Sequence, residues 1–133
     1  MQLEQPSTDT FRILVVSLSE IWARSARAIL ATLADVDVLQ TARGGLTAYE
    51  IVRSEHPDLM VIDDSLPSDE AQRLLELLSE APHRPYCIAM IPSSRHKWFM
   101  QRAGADATVL RSNASNDLIS AVLLAREHIK AGQ

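Results

Sequence analysis

Short apolar runs alternate with stretches of helical spacing along the whole chain. The runs are residues 11–16, 58–63, 86–91 and 107–110, rich in branched and apolar side chains and bounded by Ser, Pro, Asp and Gly. Runs of this length, apolar at successive positions, predict strands buried on both faces, as in a parallel sheet. Residues 36–40 alternate and predict a shorter second strand. Between the runs, apolar positions recur every three or four residues. They predict helices from about residue 20, over 46–55, from about 68, over 95–103 and over 115–130. The first helix reads with Ile21, Ser25, Ala28, Ile29, Thr32 and Leu33 on one face. The other stripes are Ala48, Ile51 and Val52; Ala71, Leu74, Leu75 and Leu78; and Leu118, Val122, Ala125 and Ile129. Ser19 suits the cap of the first helix, Pro57 the end of the second and Gly104 the end of the fourth. Residues 1–10 read as a disordered arm and 131–133 as a fraying tail.

Five strand–helix repeats predict one α/β domain over residues 11–130. It is a three-layer αβα sandwich on a five-stranded parallel sheet in the flavodoxin-like order 2-1-3-4-5. In such sheets, ligands and chemistry gather at the carboxyl edge of the strands. The third run ends there in Asp63 and Asp64, followed by Ser65, Leu66 and Pro67. As successive strand residues, the two carboxylates are expected to point opposite ways, which speaks against an acid–base pair.

Composition narrows the function classes. The chain has 133 residues, 47% apolar and 23% charged, as one soluble domain requires. A net charge of −4 does not suit a nucleic-acid surface. The single cysteine, Cys87, rules out an internal disulfide and a thiolate zinc site, and reads as a core residue. His56, His83, His96 and His128 are scattered over different elements, with no ligand spacing between them. No apolar stretch is long enough to span a bilayer, and the amino terminus lacks a signal pattern, so a cytoplasmic setting is expected. Gly44-Gly45 reads as a turn and not a phosphate cradle, which would follow the first strand. Trp98 and Phe99 are neighbours on the fourth helix, about 100° apart, so both cannot face the core. An exposed aromatic there is an interface candidate, and Trp22 raises the same question.

Taken together, three stretches resemble the response-regulator receiver family. Pro57-Asp58-Leu59 through Asp63 to Pro67 is similar to the family's P-D-L-x-x-x-D-x-x-x-P segment. Ala42-Arg43-Gly44-Gly45-Leu46-Thr47-Ala48 is similar to its A-x-N-G-x-x-A start of helix two, and Gly104-Ala105-Asp106 to its G-A-D before strand five. The resemblance covers nearly all of residues 11–130. It implies that Asp63 stands at the phosphoacceptor position. It places Ser17 and Leu18 where the family carries the acidic pair that holds Mg²⁺. Asp63 and the carbonyl of Ser65 are then the remaining metal-ligand candidates, a poor set for a hard divalent cation. Arg111 stands in place of the family's lysine, Ser112 of its proline, Ser93 or Ser94 of the switch threonine, and Thr108 of the switch aromatic.

The resemblance implies a signalling switch and not an enzyme. The expected role is signal transduction or transcriptional control through protein contacts, without efficient Mg²⁺-dependent aspartyl phosphorylation and with no other cofactor. The expected partner is a histidine kinase or another regulator. A homodimer through helix 4, strand 5 and helix 5 is a further expectation. This domain itself would contact neither nucleic acid nor membrane, and an output domain, if present, would follow the tail. Two alternatives stand beside this: a conventional receiver phosphorylated at Asp63, and a flavodoxin-like sensor of a small ligand such as a flavin.

Overall fold

The computed structural model describes residues 10–132; the expected arm, apart from Thr10, and Gln133 lie outside the described residues. The strands are β1 (Phe11–Val16), β2 (Val36–Val38), β3 (Leu59–Ile62), β4 (Tyr86–Ile91) and β5 (Ala107–Leu110). The helices are α1 (Glu20–Leu30), α2 (Gly45–Glu55), α3 (Ser68–Leu78), α4 (Lys97–Ala103) and α5 (Ala114–Ala131). All five strands are parallel, in the order β2-β1-β3-β4-β5. This is the expected doubly wound order, with β1 and β3 adjacent at its switch point.

Strand parity sorts the core into two layers. Leu14, Val16, Met60, Ile62, Cys87 and Ala89 face α2, α3 and α4, where Ala48, Val52, Leu74, Leu78 and Met100 meet them. Ile13, Val15, Leu59, Val61, Ile88 and Met90 face α1 and α5, where Ala23, Leu30, Leu118 and Val122 meet them. Period-two alternation with both sides apolar accounts for the near-continuous runs in the sequence. Each fully buried leucine or isoleucine contributes about 1.5–3 kcal/mol relative to exposure.

The helix faces differ from expectation in one place. α1 buries Ala23, Ala26 and Leu30, whereas Ile21 is 82% exposed. Two registers of α1 each present a plausible stripe, and the one rich in alanine wins because small side chains let the helix sit close on the sheet. The expected stripes of α2, α3 and α5 are otherwise reproduced, with Ile51 and Ile129 at their margins. β2 stops at Val38, although Leu39 N–H still donates to the Ile13 carbonyl and Ala42 bridges to Val16. The expected fourth helix splits into a 3₁₀ turn, Ser94–His96, and the short α4.

Two of the recognisable stretches have structural roles at the amino edge of the sheet. Asp58 accepts the Arg12 N–H at 2.9 Å, and Asp106 accepts the Cys87 N–H at 2.8 Å. Each aspartate precedes its strand and supplies the acceptor that the neighbouring strand would otherwise lack. Arg84 pairs with Asp106 at 3.0 Å and donates to the Gly104 carbonyl. Gly104 ends α4 at φ +129°, and a Cβ there would lie 3.3 Å from the Leu75 carbonyl, so glycine is required twice over. Gly45 N–H donates to Glu70 at 2.7 Å, which ties the start of α2 to α3.

Candidate functional site

The carboxyl ends of β1, β3 and β5 deliver Ser17, Asp63, Asp64 and Arg111 to one point. β3 ends at Ile62, Asp63 N–H still donates to the Val16 carbonyl at 2.9 Å, and the backbone turns at Asp64 and Ser65. Strand parity no longer separates them, and this corrects the expectation of opposed side chains. Arg111 opens the 3₁₀ turn after β5. Its Nη1 lies 2.7 Å from Asp63 Oδ1 and also contacts Asp64 Oδ1. One guanidinium nitrogen therefore bridges both carboxylates.

The second oxygen of Asp63 is held by a directed chain of hydrogen bonds. Leu18 N–H donates to Ser65 Oγ at 2.9 Å, and Ser65 Oγ lies 3.2 Å from Ser17 Oγ. Ser17 Oγ in turn lies 2.8 Å from Asp63 Oδ2 and accepts the Ser19 N–H at 2.9 Å. The charged acceptor takes the Ser17 proton, since hydrogen bonds to an ionised oxygen are the stronger ones. Asp63 is 0% exposed, and both its oxygens are bonded to protein. The Asp64 side chain retains 16% exposure. Burial raises the Asp64 carboxyl above the ordinary carboxylate range and the adjacent Asp63 adds to the rise, while Arg111 draws it part of the way back.

Trp22 completes the site. Ser19 caps α1 as expected, its Oγ accepting the Trp22 backbone N–H at 3.2 Å. The Arg111 guanidinium lies 6.0 Å from its ring centroid. The cation is thus held between two carboxylates and one aromatic face. Sequence reasoning noted Trp22 only as a weak interface candidate, because nothing in α1 itself announces a contact with β5.

The other expected positions fall elsewhere. Ser93 Oγ lies 3.2 Å from His96 Nδ1, and Thr108 on β5 pairs with Ala89 and borders the groove beside α5. Among the described residues, neither hydrogen-bonds to Asp63 or Asp64. His96, set aside with the other histidines, borders a cavity of about 40 Å³ together with Asp63, Asp64 and Met100. Its spacing in sequence gives no sign of this, since the 3₁₀ turn brings it there. Leu18 is 44% exposed and adds no side-chain oxygen. Cys87 lies away from this edge, and burial pushes its thiol up to about 12. Trp98 and Phe99 are both exposed, where only one was expected.

No protein-family model matches the chain. The oxygen regulatory protein NreC of Staphylococcus carnosus is 29% identical over 91 residues, 66% of this chain and 42% of that protein. The chain therefore spans less than half the length of the curated relatives it matches. The signal receiver domain of NarL from Mycobacterium tuberculosis superposes with a TM-score of 0.80 at 16% identity, over 90% of this chain and 98% of that one. A CheY-like receiver domain from Methanospirillum hungatei superposes with a TM-score of 0.77 at 22% identity, over 92% of this chain and 98% of that one. The chain has the fold of response-regulator receiver domains.

Proposed function

We propose that the chain is a signalling receiver that works through protein contacts, with Asp63 held by its own side chains and not by a cycle of Mg²⁺-dependent phosphorylation. The observation that carries this reading is the state of Asp63: fully buried, with Ser17 on one oxygen and Arg111 on the other. Phosphoryl transfer to a carboxylate depends on positioning and on neutralising charge. Here the neutralising cation is Arg111, which already bridges both acceptors.

The residues present do not fit a resident Mg²⁺. That ion asks for near-octahedral oxygen geometry, usually with one or two carboxylates plus water and phosphate. The local donors are two carboxylates joined by a guanidinium and two hydroxyls joined to each other. Leu18 offers no side-chain oxygen. A flavin does not fit beside Asp63 itself, whereas the open groove of about 760 Å³ that Ser17 borders between α1 and β2 is large enough for a small ligand. The cavity beside Asp63 is about 40 Å³, against roughly 300 Å³ or more for a small-molecule site.

A receiver that works by contact needs surfaces for a histidine kinase or another regulator. The face made by α4, β5 and α5, with exposed Trp98 and Phe99, is the foremost of these. The regulatory role in the name of the staphylococcal relatives extends to this chain only as the receiver's share of such a role.

Intact mass after incubation with acetyl phosphate and Mg²⁺ tests the reading, with Asp63→Ala as control. The expected result is no phosphoryl adduct. An adduct that disappears in the Asp63→Ala variant would make the chain a conventional phosphoacceptor and overturn the proposal.

A further inference from the structure

α1 and the edge strand β2 border an open groove of about 760 Å³, within the size range of small-molecule sites. The groove exists because the helix turns small side chains toward the edge of the sheet. Ala23, Ala28 and Ala31 line one wall, and Val36 and Val38 the other. Ala28 and Ala31 are exposed, so a longer side chain at either would fill the space without entering the core.

The rim of this apolar floor is cationic. Arg24 and Arg27 stand three residues apart on α1, hence on one side of the helix, and Arg43 comes from the loop between β2 and α2. Two carboxylates also border the groove. Asp37 lies 3.9 Å from Arg12 Nε, and Glu20 pairs with Arg24 at 3.7 Å. Both partners of the second pair are largely exposed, so the pair is weak and readily exchanged. Arg27 and Arg43 are exposed and, among the described residues, form no ion pair. The lining is thus cationic in balance on a chain of net charge −4. β2 is hydrogen-bonded to β1 alone, so backbone donors and acceptors are open on its outer side. Gln40 and Thr41 add side-chain donors and acceptors beside it.

We propose that this groove binds a nucleotide, a flat heterocycle that carries two or more negative charges. The base covers the alanine and valine floor. Its donor and acceptor edge meets the open backbone of β2. Phosphate oxygens meet the guanidiniums, whose planar fork matches them. Other occupants use less of the site. An uncharged apolar molecule leaves Arg27 and Arg43 without a role, and a bare anion leaves the apolar floor uncovered. A peptide laid down as an added strand finds only the three residues of β2 to pair with. Ser17 borders the groove, and its Oγ lies 2.8 Å from Asp63 Oδ2. A ligand here therefore sits one hydrogen bond away from the carboxylate cluster.

Heteronuclear NMR of the isotope-labelled full chain tests this, titrated at low salt with ADP, GDP and UDP. Adenosine and inorganic pyrophosphate are the comparators. At least one nucleotide is expected to saturate with a dissociation constant below about 1 mM and to shift amides within residues 23–43. Adenosine and pyrophosphate each carry half of the recognised chemistry and should bind at least about tenfold more weakly. Ala28→Leu, which fills the groove and touches no charge, lowers the nucleotide affinity about tenfold or more. The pair Arg27→Gln and Arg43→Gln does the same, about tenfold or more, through the lost charged contacts. These positions are exposed, and circular dichroism checks that the fold persists. No saturation by any of the three nucleotides up to about 5 mM overturns the proposal. Shifts centred outside the groove do the same, as does an affinity that survives Ala28→Leu. Pyrophosphate binding as tightly as the nucleotides reduces the groove to a site for an adventitious ion only, and also overturns it. Neither Mg²⁺ nor acetyl phosphate is present, so the result stands apart from the mass measurement on Asp63.

Discussion

The two edges of the sheet use their aspartates for different ends. At the amino edge, Asp58 and Asp106 each accept a backbone N–H from the neighbouring strand, at 2.9 and 2.8 Å. At the carboxyl edge, Asp63 and Asp64 meet side chains: one guanidinium shared between them, and the Ser17 hydroxyl on Asp63. The first arrangement completes a hydrogen-bond ladder that would otherwise leave a strand N–H unpaired in a buried place. The second gathers two like charges where burial opposes ionisation, and then offsets them with a cation. One pattern is architecture. The other is a charge cluster held together by side chains from three strand ends.

Removing the cation should give the largest effect. Arg111→Ala leaves buried Asp63 and half-buried Asp64 without their counter-ion, so stability near neutral pH should fall by about 2–3 kcal/mol. That is less than for a fully buried pair, because the Arg111 side chain is 40% exposed. The loss should shrink in acid. With Arg111 gone, nothing draws the carboxyl back from its raised value. A carboxyl raised in the folded state costs stability as pH climbs through that value and costs nothing below its unfolded value. Urea unfolding of the variant and its parent at about pH 7 and about pH 4, near the unfolded aspartate value, checks both statements. An equal deficit at both pH values would break the contrast between the edges.

The amino edge comes next. Asp106→Ala should cost about 2 kcal/mol, since the Cys87 N–H loses its acceptor and Arg84 its ion pair. The same unfolding measurement at about pH 7 reads it, and a cost under about 0.5 kcal/mol would show that the Cys87 N–H and Arg84 do not depend on this carboxylate.

Asp64→Asn should give the smallest change, and in the opposite direction. Burial already raises this carboxyl, so its ionised form is a net cost at neutral pH. The amide should stabilise the chain by less than about 1 kcal/mol near pH 7 and flatten its acid-side stability curve. A destabilisation as large as that of Asp106→Ala would show that Asp64 is structural too.

What could be read in the sequence follows from the range of the interactions involved. The four apolar runs and the β2 segment announced the sheet, and strand–helix alternation its order, because strand burial and helix periodicity are local patterns. The stripe of α1 was misread because alanine and isoleucine compete for the core, and only the close approach of helix to sheet decides between them. Asp63 and Arg111 were legible as positions through the receiver resemblance, and the structure brings them together. The convergence of Asp64 was not legible, because it depends on the backbone turning at Asp64, directly after Asp63. Trp22 was missed as part of the site, since its contact with Arg111 joins α1 to the turn after β5 and leaves no mark on either stretch alone. His96 was missed for the same reason.

The most direct measurement of the internal counter-ion is calorimetric titration with Mg²⁺ of the unmodified chain and of the double variant Ser17→Asp, Leu18→Asp. The expected result is no binding by the unmodified chain at low-millimolar Mg²⁺, and clear binding once both carboxylates are restored beside Asp63. Mg²⁺ binding by the unmodified chain as tight as by the double variant would contradict the claim that Arg111 and Ser17 have taken over the role of the metal.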